Sequence, residues 1–109
     1  MATTYKVLGQ SAPAATTPTD LYTAGTGVQT VVSTLSITNR GATGASYRIS
    51  VRPNGAGQAN EHYLAYDTTI AANSVTAYTL GLTVDATDVI TVYASNTDLT
   101  FQAFGSEIA

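Results

Sequence analysis

The chain has no cysteine, no tryptophan, one methionine and one histidine, and only 10% of its 109 residues are charged. About a quarter is usual for a globular protein. Without cysteine there is no disulfide framework, so persistence outside a cell would have to rest on oligomerisation or attachment. One histidine and no cysteine cannot build a His/Cys zinc site. Four Lys and Arg cannot line a phosphate-tracking groove, and a formal charge of −3 repels a nucleic-acid backbone. No apolar run approaches the roughly 18 residues of a membrane span. The opening MATTYKVLGQ lacks the basic start and the apolar core of about 7 to 15 residues that mark a secretory signal. The expectations are therefore no nucleic acid, no membrane, and assembly in a cytoplasm.

The missing charge is replaced by Thr, Ser, Ala and Gly, while hydrophobic residues remain at an ordinary 44%. A chain of this length holds one domain and one core. Its hydroxyl-rich, nearly neutral surface suits a β protein and gives little repulsion against self-association. The charges that remain are segregated. Lys6, Arg40, Arg48 and Arg52 stand in residues 1–52 against the single Asp20, a net +3. Residues 53–109 carry Glu61, Asp67, Asp85, Asp88, Asp98 and Glu107 and no Lys or Arg, a net −6. Either the halves form different faces and offer weak complementarity to a second copy, or their strands interleave and the asymmetry averages away.

Apolar and polar residues alternate in short bursts bounded by Gly, Pro, Asn and Asp, with no apolar stripe at helical spacing. Strands are expected over Tyr5–Leu8, Leu21–Thr23, Thr30–Asn39, Ala45–Arg52, Tyr63–Asp67, Thr68–Ala71, Ser74–Leu80, Asp88–Ser95 and Leu99–Phe104. The fold class is all-β: a single-domain antiparallel sandwich, Ig-like or jelly-roll-like, of seven to nine short strands. Residues 1–19 read as a strand followed by an extended arm, because Ser11–Thr19 holds two prolines and only small side chains; residues 20–109 read as the sandwich. Val31, Leu35 and Ile37 share one parity and are expected inside. With them go Ile49, Val51, Val75, Leu82, Val89 or its neighbour Ile90, Leu99 and Phe101. Arg48 and Arg52 fall on the opposite parity from Tyr47, Ile49 and Val51, which puts two guanidinium groups on one exposed face.

No chemistry assembles from these residues. His62 is the one imidazole, but no GxSxG elbow accompanies it, and a loop-to-strand histidine making an ordinary hydrogen bond accounts for it. Asp85 and Asp88 could pair for acid–base work or join Glu61 around calcium, yet their spacing is that of Asx turns and not of an EF-hand loop. Gly25-Thr26-Gly27 and Gly55-Ala56-Gly57 do not open helices and are turns. Hence no catalytic residue, no metal and no cofactor is expected, and the chain is read as a non-enzyme. Tyrosine is the enriched large side chain, at positions 5, 22, 47, 63, 66, 78 and 93. Its apolar body and polar tip favour interfaces, with Tyr47 and Tyr93 the candidates for the interior.

The segments LYTAGTGVQTVVSTLSITN, YRISV, IAANS…TLGL, DVITVYAS and LTFQAFGSEI, together spanning about residues 20–109, resemble small all-β structural proteins of tailed-bacteriophage virions. That resemblance implies a virion component without enzymatic activity, foremost a capsid cement or decoration protein that binds the head lattice. A small tail or neck protein is the alternative in the same class. A glycan-binding module for host attachment is the alternative in another, marked by a coplanar pair among Tyr63, Tyr66 and Tyr78. The implied partners are further copies of the chain and another virion protein such as the major capsid protein. Contacts are expected from the arm and the exposed arginines and tyrosines: Ser11, Pro13, Thr17, Pro18, Asp20, Arg40, Arg48, Arg52, Tyr63 and Tyr66.

Overall fold

The computed structural model describes residues 2–109. The bursts of alternation form nine strands: β1 (Thr3–Ser11), β2 (Thr19–Thr23), β3 (Gln29–Asn39), β4 (Ala45–Arg52), β5 (Tyr63–Ile70), β6 (Val75–Tyr78), β7 (Leu82–Val84), β8 (Val89–Ala94) and β9 (Leu99–Ile108). There is no α-helix among the described residues, and two short 3-10 turns, Pro53–Gly55 and Asn60–His62, precede β5.

One sheet runs β1-β9-β3-β6 with β7 also on β3, and the other runs β2-β8-β4-β5. Every pairing is antiparallel. Strand β6 pairs Leu35–Thr38 and β7 pairs Thr30–Val32, so the two lie end to end along β3 as one interrupted strand. Counted that way, β1 with β9, β2 with β8, β3 with β6–β7 and β4 with β5 are nested pairs, the pattern of a long hairpin rolled onto itself. The sandwich is therefore a jelly roll and not an Ig-like arrangement.

The core lies between the inner faces of the two sheets, where Leu35, Ile37, Ile49, Leu99 and Phe101 are buried as expected. Tyr47 stands at its centre, edge-on to Phe101 and Tyr78 with centroids 6.3 and 6.4 Å away, and shares a 2.6 Å hydroxyl contact with Tyr78. Burial, then the Tyr78 hydroxyl, pushes its phenol pKa well up. Of the other expected core residues, Val75 is exposed and Val51 and Leu82 are only partly covered, while Val89 and Ile90 are both buried.

The parity expected for β3 is corrected at its start. Val32, not Val31, joins Leu35 and Ile37 inside, because the β3–β9 register slips between Val32 and Thr34. The extra residue of such a bulge reverses which side chains face inward. Opposite it is Gly105, where a Cβ would run into the Val31 carbonyl and the Val32 backbone. The two strands expected over Tyr63–Asp67 and Thr68–Ala71 are one strand, β5, bulged where a break was read.

The described part of residues 1–19 is tied to its own sandwich. Strand β1 pairs with β9 along its length, ending at Ser11 opposite Phe101. Beyond it Pro13 is buried, and Thr16 donates its backbone N–H to the Ala94 carbonyl at 2.7 Å. The proline-containing stretch is thus a crossing from one sheet to the other.

Candidate functional site

The outer face of the second sheet carries a polar groove of about 290 Å³, lined by Pro18, Asp20, Arg48, Ser50, Arg52, Gln58, Tyr63, Thr91, Val92 and Tyr93. Its floor follows from strand alternation. In β4, Tyr47 and Ile49 point into the core, so Arg48, Ser50 and Arg52 point out. Thr91 lies directly opposite Ser50 and Tyr93 opposite Arg48 on β8, and Asp20 of β2 lies opposite Thr91.

Each arginine is held in place by partners of its own. Arg52 donates Nη2 to Asp20 at 3.2 Å, Nε to the Thr91 hydroxyl at 3.1 Å and Nη1 to the Ala56 carbonyl at 2.8 Å. Thr91 in turn donates to the same Asp20 oxygen at 3.2 Å. This chain ties β2, β8, β4 and the 53–60 loop together, and Ser50 adds a 2.8 Å hydrogen bond to Gln58.

Arg48 depends on the bulge in β5. Register slips there, and Asp67 takes a left-handed φ of 50°, a conformation Asp tolerates better than most residues. Asp67 therefore accepts from Arg48 Nε at 2.7 Å and Nη2 at 3.3 Å. Tyr66 and Tyr93 close on the guanidinium with ring centroids 4.2 and 4.4 Å from Cζ. Asp67 raises the Arg48 pKa, and the same hydrogen bonds hold the Asp67 carboxyl below the usual carboxylate range. The result is an internally paired cluster of rings and guanidinium groups, with Asp67 balancing Arg48 and Asp20 balancing Arg52.

Among the ten residues expected at an interface, Pro18, Asp20, Arg48, Arg52 and Tyr63 line this groove, and Tyr66 packs beside it on Arg48. Ser11, Pro13, Thr17 and Arg40 do not line it. Arg40 is spent at the end of β3, on the Thr100 hydroxyl at 2.9 Å and the Thr97 carbonyl at 2.8 Å. Sequence reasoning missed Ser50, Gln58, Thr91 and Asp67, and it placed Tyr93 as an interior candidate although the side chain belongs to the groove. Period-two alternation in DVITVYAS, which sets Thr91 and Tyr93 opposite Ile90 and Val92, was the available signal.

Tyr63 and Tyr66 meet edge-on, centroids 4.8 Å apart at 82°, so they do not make the coplanar platform that sugar stacking would use. Tyr78 lies elsewhere, hydrogen-bonded to Tyr47. His62 accepts the Ala59 backbone N–H at Nδ1, 3.1 Å away, within the turn before β5. Asp88 accepts the Asp85 and Asn54 N–H groups and Asp85 accepts that of Ala86, each at 2.8 Å, so both carboxylates cap backbone turns. The charge halves interleave. Lys6 pairs with Glu107 at 2.9 Å and Arg48 with Asp67, each joining the basic segment to the acidic one.

Comparison with known protein families, with curated proteins and with solved structures finds no match for this chain.

Proposed function

We propose that the chain is a non-enzymatic structural protein of a bacteriophage virion, foremost a cement or decoration protein that binds the outer head lattice. The observation that carries this reading is the pre-paired groove. Tyr and Arg are the residues enriched at protein interfaces, and here Tyr63, Tyr66, Tyr93, Arg48 and Arg52 are already locked by internal partners. Covering such a cluster with another protein strands no unpaired charge and freezes few side chains, the two costs that most often weaken an interface. The sequence resemblance to phage structural modules supports the virion setting. Jelly-roll topology recurs in viral coat proteins, but also in lectins and cupins, so it supports that setting by analogy alone.

In this role the protein bridges neighbouring capsid subunits and adds interface that must rupture before the shell opens. The test is to add purified protein to heads lacking it. Binding at lattice sites with a raised head melting temperature is expected, and Tyr93→Ala should weaken both. Heads that neither bind the protein nor gain thermal stability overturn the head-lattice reading; binding to isolated tails or necks instead would move the protein to the alternative within the same class.

A further inference from the structure

The first sheet ends at β1, whose register on β9 slips between Val7 and Gly9 but whose stretch before that slip lacks the protections found at the other edges. Strand β2 is five residues long with a register slip after Asp20, β5 is bulged at Asp67, and the β6–β7 edge is interrupted at Thr79–Gly81. Residues Thr3–Val7 of β1, by contrast, run without a bulge and are all exposed. Ala2 and Ala109 exchange both backbone hydrogen bonds, at 2.8 and 3.0 Å. In an antiparallel ladder such pairs alternate, so Thr4 and Lys6 also bond β9, and the N–H and C=O groups of Thr3, Tyr5 and Val7 point away from the sheet. Tyr5 is 84% exposed and Val7 48%, beside a shallow groove whose floor includes Phe104 and Val31. Lys6, the one charge on the strand, is drawn to Glu107 of β9 at 2.9 Å and does not guard the edge.

We propose that β1 is a self-pairing edge, along which two copies of this chain join their first sheets into one continuous antiparallel sheet. The occupant that fits must be extended, uncharged toward the edge and of matching length, and β1 itself meets those terms. If Tyr5 faces Tyr5 of the second copy, Val7 faces Thr3 in both directions, and all three outward residues engage in about six hydrogen bonds. That register sets each Lys6 opposite Thr4 of the other copy, so the two ammonium groups are never directly opposed and each keeps its own Glu107. Tyr5 and Val7 of both copies then form one apolar strip on the outer face. The inference gives a surface to the association with further copies that the sequence resemblance implies, and it is tested without any virion.

Since the chain contains no cysteine, a single introduced thiol reports the register. Residues directly opposite in a hydrogen-bonded pair have Cα atoms about 5.5 Å apart. A disulfide spans about 4.4 to 6.8 Å. Under mild oxidation Tyr5→Cys should cross-link to a covalent dimer, Val7→Cys alone should not, and a mixture of Val7→Cys with Thr3→Cys should. In sedimentation, wild type should run at twice the chain mass. Tyr5→Pro, which removes an N–H that β9 does not use, should shift it to a monomer with its thermal unfolding retained. A wild type that stays monomeric at every concentration, or a dimer in which Val7→Cys cross-links as readily as Tyr5→Cys, overturns the proposal. Retained head binding by such a monomer would leave the virion reading standing, and loss of head binding with an intact dimer would do the reverse.

Discussion

Asp67 reaches Arg48 only because the strand carrying it is bulged: the carboxylate sits at φ 50° and accepts two hydrogen bonds from a guanidinium on the neighbouring strand. Backbone conformation and ion pair are therefore separable. Asp67→Gly keeps the left-handed turn at no steric cost and loses only the pairing, whereas Asp67→Val loses the pairing and strains the bulge. The expected order of melting temperatures is wild type, then Gly, then Val, by calorimetry. A Val variant as stable as the Gly variant would mean the bulge relaxes.

Gly105 faces the bulge in β3. A methyl group there meets the Val31 carbonyl and the Val32 backbone, neither of which is a flexible side-chain end. Gly105→Ala should cost about 1 to 3 kcal/mol in denaturant unfolding, the range for forced overpacking. Gly57, with nothing within 4 Å of an added Cβ, is the control, and Gly57→Ala should stay within about 0.5 kcal/mol of wild type.

Asn39, 1% exposed, clips three segments together. Its amide donates to the Thr43 carbonyl at 2.9 Å and the Ala71 carbonyl at 3.2 Å, and its oxygen accepts the Gly41 N–H at 2.9 Å. Asn39→Ala should cost about 1 to 3 kcal/mol through the polar groups it orphans. Asn39→Asp should be worse at neutral pH, because a carboxylate faces carbonyls with no hydrogen to give, and should recover part of the loss in acid. Chemical denaturation at two pH values separates the two variants.

Stability should fall at both ends of the pH range, for different reasons. Glu107 accepts from the Tyr22 phenol at 2.5 Å and pairs with Lys6, which holds its carboxyl below the usual carboxylate range, as Arg48 does for Asp67. In the acid window the unfolded chain binds more protons than the fold, so stability is complete above the ordinary carboxylate pKa and is lost as pH drops through the lowered folded values. Tyr22 moves the other way, pushed up from 10.0 to about 12 by burial and by Glu107. Its contribution is complete below 10 and is lost as pH rises toward 12. Melting temperature against pH should show both limbs, with Glu107→Gln shallowing the acid one and Tyr22→Phe the alkaline one.

Local pattern was enough for much of this protein. Alternation and turn chemistry placed Ala45–Arg52 at its observed limits, named Ile37, Ile49, Leu99 and Phe101 as core, and put Arg48 and Arg52 on one outer face, because strand period and turn propensity act over a few residues. Half the groove was legible for the same reason.

What the sequence could not decide depends on residues far apart in the chain. The bulges in β3 and β5 add one residue opposite a partner strand, which leaves the local pattern looking regular or merely broken while it reverses Val31 and Val32 and aims Asp67 at Arg48. Lys6 is neutralised by Glu107 and Thr16 is tied to Ala94, each more than seventy residues later, so the stretch after β1 that reads as an extended arm becomes a crossing between sheets. The low charge itself was fixed by composition. Only the rolled hairpin decided that Lys6 meets Glu107 and Arg48 meets Asp67, since antiparallel nesting brings segments of the basic first half and the acidic second half into adjacent strands.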